Sequence, residues 1–141
     1  MITIDAGMMG QITRAAQEAY PNECCGLLAG YGDLDSDITI TRVRPSENVS
    51  EEGVRDRFEV DPKVRFDLMR ELADGAERIV GHYHSHPGHP AMPSEHDLKM
   101  AFEPDLLWLI VGLDQSRITE VKAHQIDTGG SGFCEIAICV N

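Results

Sequence analysis

The sequence predicts an α+β fold: a single mixed β-sheet flanked by helices. Three observations predict it. Segments with a period of two and segments with a period near 3.6 interleave along the chain, without strict β-α alternation. The run Leu106 to Leu113 is continuously apolar, as expected of a central strand covered on both faces. No repeat, low-complexity tract or long linker interrupts the 141 residues, so one domain spanning 1–141 is expected.

Each element follows from local chemistry. Met1 to Ile4 reads as a short strand. Asp5 is a helix N-cap, and Met8, Ile12, Ala15, Ala16 and Ala19 follow at helical spacing until Pro21 stops the helix. Cys25 to Tyr31 reads as a buried strand. The turn at 32–36 leads into an alternating strand, Ile38 to Val43. The polar stretch Pro45 to Arg57 reads as a surface loop, and Phe58 to Val60 as a short strand. Asp61-Pro62 is an N-cap and first-turn pair for a helix through Val64, Leu68 and Leu72, closed by Gly75. Ile79 to His84 is the next strand, followed by the Pro- and Gly-rich loop Pro87 to Pro93. A short helix opens at Ser94 and runs to about Phe102. Beyond the apolar run, Ile118 to Ile126 alternates, and Phe133 to Val140 is a last strand.

Composition narrows the function. Apolar residues make up 42%, which suits a globular chain, and the formal net charge is −12. Such acidity repels phosphate backbones and argues against nucleic-acid binding. No run reaches the roughly 18–20 apolar residues of a membrane span, and the N-terminus lacks the basic and apolar regions of a signal peptide, so a cytoplasmic protein is expected. Cys24, Cys25, Cys134 and Cys139 are too few for a disulfide scaffold, and read as thiols in a reducing compartment. Cys134 and Cys139, five apart on one strand, should face opposite ways. Three lysines among 12 basic residues, with 24 acids, suit a salt-rich cytoplasm.

The chemistry concentrates in Gly81 to Asp97, GHYHSHPGHPAMPSEHD. His84 and His86 stand two apart at a strand end, so both imidazoles leave the same face. Asp97 comes one helical turn after Ser94 and can supply an oxygen ligand. Two histidines and one carboxylate leave a fourth corner open, the arrangement of a catalytic zinc site. Each part also has a plainer reading. Ser94-x-x-Asp97 is a helix capping box, and five histidines within fifteen residues could be an incidental metal trap. The joint pattern H-S-H-P-x6-S-x-x-D is what composition alone rarely produces.

His84-Ser85-His86-Pro87 followed by Ser94-Glu95-His96-Asp97 resembles the metalloprotease signature of the JAMM, or MPN-plus, family. Pro21 to Gly30, PNECCGLLAG, resembles that family's segment around an upstream glutamate, and looser agreement includes Pro45, Asn48 and Val60-Asp61-Pro62. The similarity runs from Met1 to about Ile126 with no departure at a motif position. The resemblance implies a fold of the cytidine-deaminase-like type and one zinc ion per chain held by His84, His86 and Asp97. It implies that Glu23 moves a proton between water and the leaving amine, and that Ser94 donates a hydrogen bond to the oxyanion. Without it, Glu23 reads as a surface residue after a helix. His82 reads as a packed histidine, His89 and His96 as exposed, Ser85 as facing away from the ligands, and Trp108 as core.

The compact chain looks like the free-standing prokaryotic branch, which implies a small ubiquitin-like sulfur-carrier protein as substrate. The expected reaction removes an amino acid such as cysteine, or a short extension, from the carrier's Gly-Gly tail. The rival readings are a non-catalytic scaffold and a deubiquitinase-like isopeptidase, and a homodimer is left open. A base deaminase is disfavoured because the Pro-Cys-x-x-Cys ligand pair is absent.

Overall fold

A computed structural model describes residues 1–126 and 132–141. The described residues form one eight-stranded sheet and three helices. In chain order these are β1 (Ile2–Ile4), α1 (Ala6–Ala19), β2 (Cys25–Tyr31), β3 (Ile38–Ser46), α2 (Pro62–Leu72), β4 (Arg78–Pro87), α3 (Glu95–Lys99), β5 (Leu107–Asp114), β6 (Arg117–Ile126), β7 (Phe133–Ile136) and β8 (Ile138–Val140). The strand order is β7-β6-β5-β4-β2-β3-β1-β8. Pairing is mixed: β4 runs parallel to β5 and β1 parallel to β3 and β8, while the remaining neighbours are antiparallel.

The last strand differs from its sequence reading. Phe133 to Val140 is two strands, and they lie at opposite ends of the strand order although only Ala137 separates them. A flat sheet would hold those edges about 34 Å apart, seven spacings of 4.8 Å, whereas the two steps from Ile136 to Ile138 span at most about 7 Å. The sheet therefore curls until its edges meet. Ile2 N–H donates to the Ala137 carbonyl at 2.8 Å, at the seam. Cys134 and Cys139 are both exposed, but on different strands rather than on two faces of one.

The curled sheet wraps α1. Asp5 caps this helix by accepting from Met8 N–H at 2.7 Å, and Ile12 and Ala16 are fully buried against Leu28, Val80, Leu109 and Val111. Burying a side chain the size of isoleucine contributes roughly 1.5–3 kcal/mol. Alternation along β2 sends Leu27 and Ala29 to the other face, where Leu68 and Leu72 of α2 cover them. Smaller differences concern boundaries: β3 continues to Ser46, α3 stops at Lys99, and the segment around Phe58 forms only an isolated bridge, Asn48 to Val60.

Candidate active site

β4 lies between β2 and β5, with His84 opposite both Cys25 and Ile110 and His86 opposite Gly112. Tyr83 joins the core around α1, so alternation turns His82, His84 and His86 to the face carrying α2 and α3. His84 is 0% and His86 4% exposed. Pro87 ends the strand, and the chain returns through Ser94 to α3. There the capping box is complete: Ser94 Oγ accepts from Asp97 N–H at 3.0 Å, and Asp97 Oδ2 accepts from Ser94 N–H at 2.9 Å. The cap holds the Asp97 side chain against the histidines, so the capping and ligand readings of Ser94-x-x-Asp97 coexist.

Glu23 precedes β2 and is fixed by its backbone. Its N–H donates to the Val54 carbonyl at 2.6 Å, and its carbonyl accepts from Asn48 Nδ2 at 3.1 Å. The next residue is held from the opposite side, where Cys24 N–H donates to Ser85 Oγ at 2.8 Å and Ser85 N–H to the Cys24 carbonyl at 3.2 Å. The 45–57 loop thus clamps Glu23 rather than merely covering the surface.

The side chains converge. His84 Nε2 and His86 Nε2 are 3.1 Å apart, and Asp97 Oδ2 lies 3.0 Å from the second and 3.4 Å from the first. Glu23, His84 and His86 each offer a ligand atom within 4.8 Å of the others. Ligand atoms around a tetrahedral cation bound at 2.0–2.1 Å are separated by about 3.3 Å. The two nitrogens and one oxygen therefore fit one face of such a tetrahedron. Proton bookkeeping agrees. His86 Nδ1 is 3.0 Å from the Pro90 carbonyl, which can only accept, so that nitrogen carries a hydrogen and a neutral ring presents its Nε2 lone pair to Asp97. A lone pair facing a carboxylate needs a positive charge between them, either a proton or a metal ion.

Electrostatics follow burial and charge. Burial pushes the Glu23 carboxyl up to about 8, and its Oε1 has no hydrogen-bond partner among the described residues. Burial opposes ionisation of Asp97 as well, but hydrogen bonds from His84 and His86 outweigh it and hold that carboxyl well below the usual range. Burial lowers His84 and so favours the neutral imidazole that ligates metals. Burial also pulls on His86, yet the Asp97 hydrogen bond and charge leave it raised.

The remaining histidines divide as their positions suggest. His82 packs against Trp108 at 4.5 Å between ring centroids, and burial lowers its pKa to about 3. Its ring is not among the converging atoms. His89 is exposed, and His96 is partly exposed 4.0 Å from Glu52. Trp108 belongs to a small apolar cluster with Ala101 and Ile126. Two contributors escaped the sequence reading. Phe58 stacks on His84 at 4.1 Å and 14°. Ser85 does face away from the ligands, but it is fully buried and fastens the Glu23 segment. Its place on the Tyr83 face of the same strand was its signal, because a hydroxyl buried there needs a partner.

Two cavities flank the cluster. One of about 520 Å³ is lined by Glu23, His86 and Ser94 together with Arg57 and Lys99. The other, about 750 Å³, reaches Asp97 from the side of Phe58, His82 and Trp108.

A mixed sheet curled round one helix is the fold this chain shares with a solved JAB1/MPN domain protein. A JAB1/MPN domain protein from Archaeoglobus fulgidus superposes with a TM-score of 0.58 at 20% identity, covering 100% of this chain and 96% of that one. Residues 5–125 match the model of prokaryotic homologs of the JAB domain, and the chain belongs to that family. A protein of known solution structure from Desulfitobacterium hafniense superposes at TM-score 0.85 with 32% identity, covering 100% of this chain and 93% of that one. Among named relatives, a desampylase from Haloferax volcanii is 36% identical over 120 residues, 85% of this chain and 79% of its own length. A CysO-cysteine peptidase from Mycobacterium tuberculosis is 27% identical over 132 residues, 92% of this chain and 85% of its own.

Proposed function

We propose that the chain is a zinc metallopeptidase that cleaves at the C-terminal Gly-Gly tail of a small ubiquitin-like sulfur-carrier protein, releasing an amino acid such as cysteine or a short extension. The observation that carries this reading is the triangle of His84, His86 and Asp97 donor atoms, 3.0–3.4 Å on each side, with buried Glu23 beside it. The names of the desampylase and CysO-cysteine peptidase relatives support the substrate class.

His84, His86 and Asp97 would hold the ion. When bound, zinc supplies Lewis acidity and makes water acidic enough to attack at neutral pH. Glu23 Oε1, without a hydrogen-bond partner among the described residues, accepts the proton of the attacking water and returns it to the leaving amine nitrogen. Its raised pKa belongs to the metal-free cluster, because a cation on the neighbouring histidines favours the carboxylate. Ser94 uses a lone pair for the cap and keeps its hydroxyl proton for the oxyanion, a contact typically worth about 3 kcal/mol. An extended tail without side chains suits the adjacent cavities.

A scaffold role is the weaker reading, because all three donors and Glu23 are present and converge. The test is incubation of the zinc-loaded protein with a carrier–cysteine adduct, read by mass spectrometry. Release of cysteine supports the proposal. An intact adduct alongside cleavage of a carrier–lysine isopeptide would move the chain to the isopeptidases. No cleavage of either by protein that holds zinc would leave the scaffold.

A further inference from the structure

The loop between β4 and α3 is pinned to β6 by a single buried residue. Ala91 is 0% exposed, and both of its backbone polar groups are taken by side chains of β6. Its N–H donates to Glu120 Oε2 at 2.9 Å, and its carbonyl accepts from His124 Nε2 at 2.7 Å. Glu120 and His124 stand four residues apart on one strand and so share a face.

The Ala91 N–H and the Pro90 carbonyl belong to one peptide plane, and the Pro90 carbonyl is the partner of His86 Nδ1 at 3.0 Å. Glu120, the Pro90–Ala91 peptide and His86 therefore form a continuous hydrogen-bonded chain that ends at His86 Nδ1, across the ring from the Nε2 that faces Asp97. A carboxylate accepting from the N–H of a peptide polarises it and makes its carbonyl a stronger acceptor. A stronger acceptor at Nδ1–H enriches the opposite nitrogen and fixes the plane of the ring, as carboxylates that contact a metal-bound histidine directly do. The Ala91 hydrogen bond itself holds the Glu120 carboxyl below the usual range, which keeps it charged.

We propose that Glu120 is a positioning residue for His86, acting through the rigid Pro90–Ala91 peptide, and that His124 anchors the next peptide, Ala91–Met92, through the Ala91 carbonyl. The inference rests on the reading of His86 as a metal ligand.

The test is zinc affinity by competition with a chromogenic chelator, together with the visible absorption of the cobalt-substituted protein. Glu120→Gln keeps an acceptor for Ala91 but removes the charge, and Glu120→Ala removes both. The expected order of affinity is wild type, then Glu120→Gln, then Glu120→Ala, with the last about 10-fold or more weaker, the size usual for such outer partners. The cobalt bands should shift in both variants. Glu135→Gln removes an acid that shares Lys122 with Glu120, at 3.7 Å and 3.5 Å, and should leave affinity and bands unchanged. His124→Ala should weaken affinity, and His124→Gln, which restores an N–H donor, should recover part of it. Metal-free melting temperatures separate loss of fold from loss of ligand alignment. Unchanged affinity and bands in Glu120→Ala would overturn the proposal. Undiminished affinity in His86→Ala would instead overturn the metal reading beneath it.

Discussion

Asp97 Oδ2 accepts the Ser94 N–H at 2.9 Å and stands 3.0 Å from His86 Nε2, so one oxygen serves both the helix cap and the donor cluster. Ser94 and Asp97 should therefore separate on substitution. Ser94→Ala loses the Oγ cap, at a cost of about 1 kcal/mol, but leaves the Asp97 carboxylate in place. Zinc content should stay near one ion per chain while kcat falls about 100- to 1,000-fold, as for a lost oxyanion donor. Asp97→Asn should lose zinc as well as activity. Metal analysis beside steady-state kinetics checks both, and full activity in Ser94→Ala would remove that residue from the chemistry.

Glu23 predicts how the metal-free protein responds to pH. Its carboxyl rises from 4.5 to about 8 because it is buried. Below pH 4.5 it is protonated whether folded or unfolded. Between 4.5 and about 8 the folded chain keeps a proton that the unfolded chain has released, so stability falls as pH rises through that window. His86, raised above 6.5, adds a loss in the same direction above pH 6.5. Glu23→Gln removes the first contribution only. With chelator present, denaturant unfolding at pH 5 and pH 8 should show the variant gaining on wild type by about 3 kcal/mol across that range. Parallel pH profiles for the two proteins would contradict the burial of this acid.

Much of this arrangement is legible in the sequence because it rests on short-range rules. The two-residue spacing of His84 and His86, the Ser94 cap and the Asp5 and Asp61 N-caps depend on local periodicity, and they stand where it puts them. Glu23 reaches the cluster only through the pairing of β2 with β4, and no local rule announces that pairing; the family resemblance supplied it. The break at Ala137 was hidden for a similar reason. Its nearly continuous apolar run, FCEIAICV, reads as one strand, and only closure of the sheet makes it two. Ser85, Phe58 and Glu120 were missed because their partners are 61, 26 and 29 residues away, at Cys24, His84 and Ala91.

Gly26 tests the packing behind the cluster. It pairs with Tyr83, and a Cβ built there would lie 2.4 Å from the tyrosine ring. Tyr83 is 1% exposed and stands between His82 and His84 on β4. Gly26→Ala must displace a buried ring, which costs about 1–3 kcal/mol. Because the ring shares its strand with His84, zinc affinity should fall along with melting temperature. Gly53→Ala is the control for a glycine whose Cβ would meet nothing within 4 Å. Its positive φ of 111° adds backbone strain of order 1–3 kcal/mol, so it should lower melting temperature without weakening zinc.

The charge of −12 leads to the last prediction. Several cations are already engaged with acids: Arg42 and Arg44 with Glu71, Arg65 with Glu103, and Lys63 with Asp67. These pairs are exposed or half-exposed, so each contributes little and salt weakens them. Repulsion among the surplus acids is spread over the whole surface and is screened by the same salt, whose Debye length falls from roughly 10 Å at 0.1 M to 3 Å at 1 M. With 24 acids against 12 bases, relief of repulsion should outweigh the loss of pairs. The melting temperature of the metal-free protein should therefore rise with potassium chloride, by about 4 °C for each kcal/mol of repulsion removed. A flat or falling melting temperature between 0.1 M and 1 M would show that the pairs win and that the acidity has no bearing on salt tolerance.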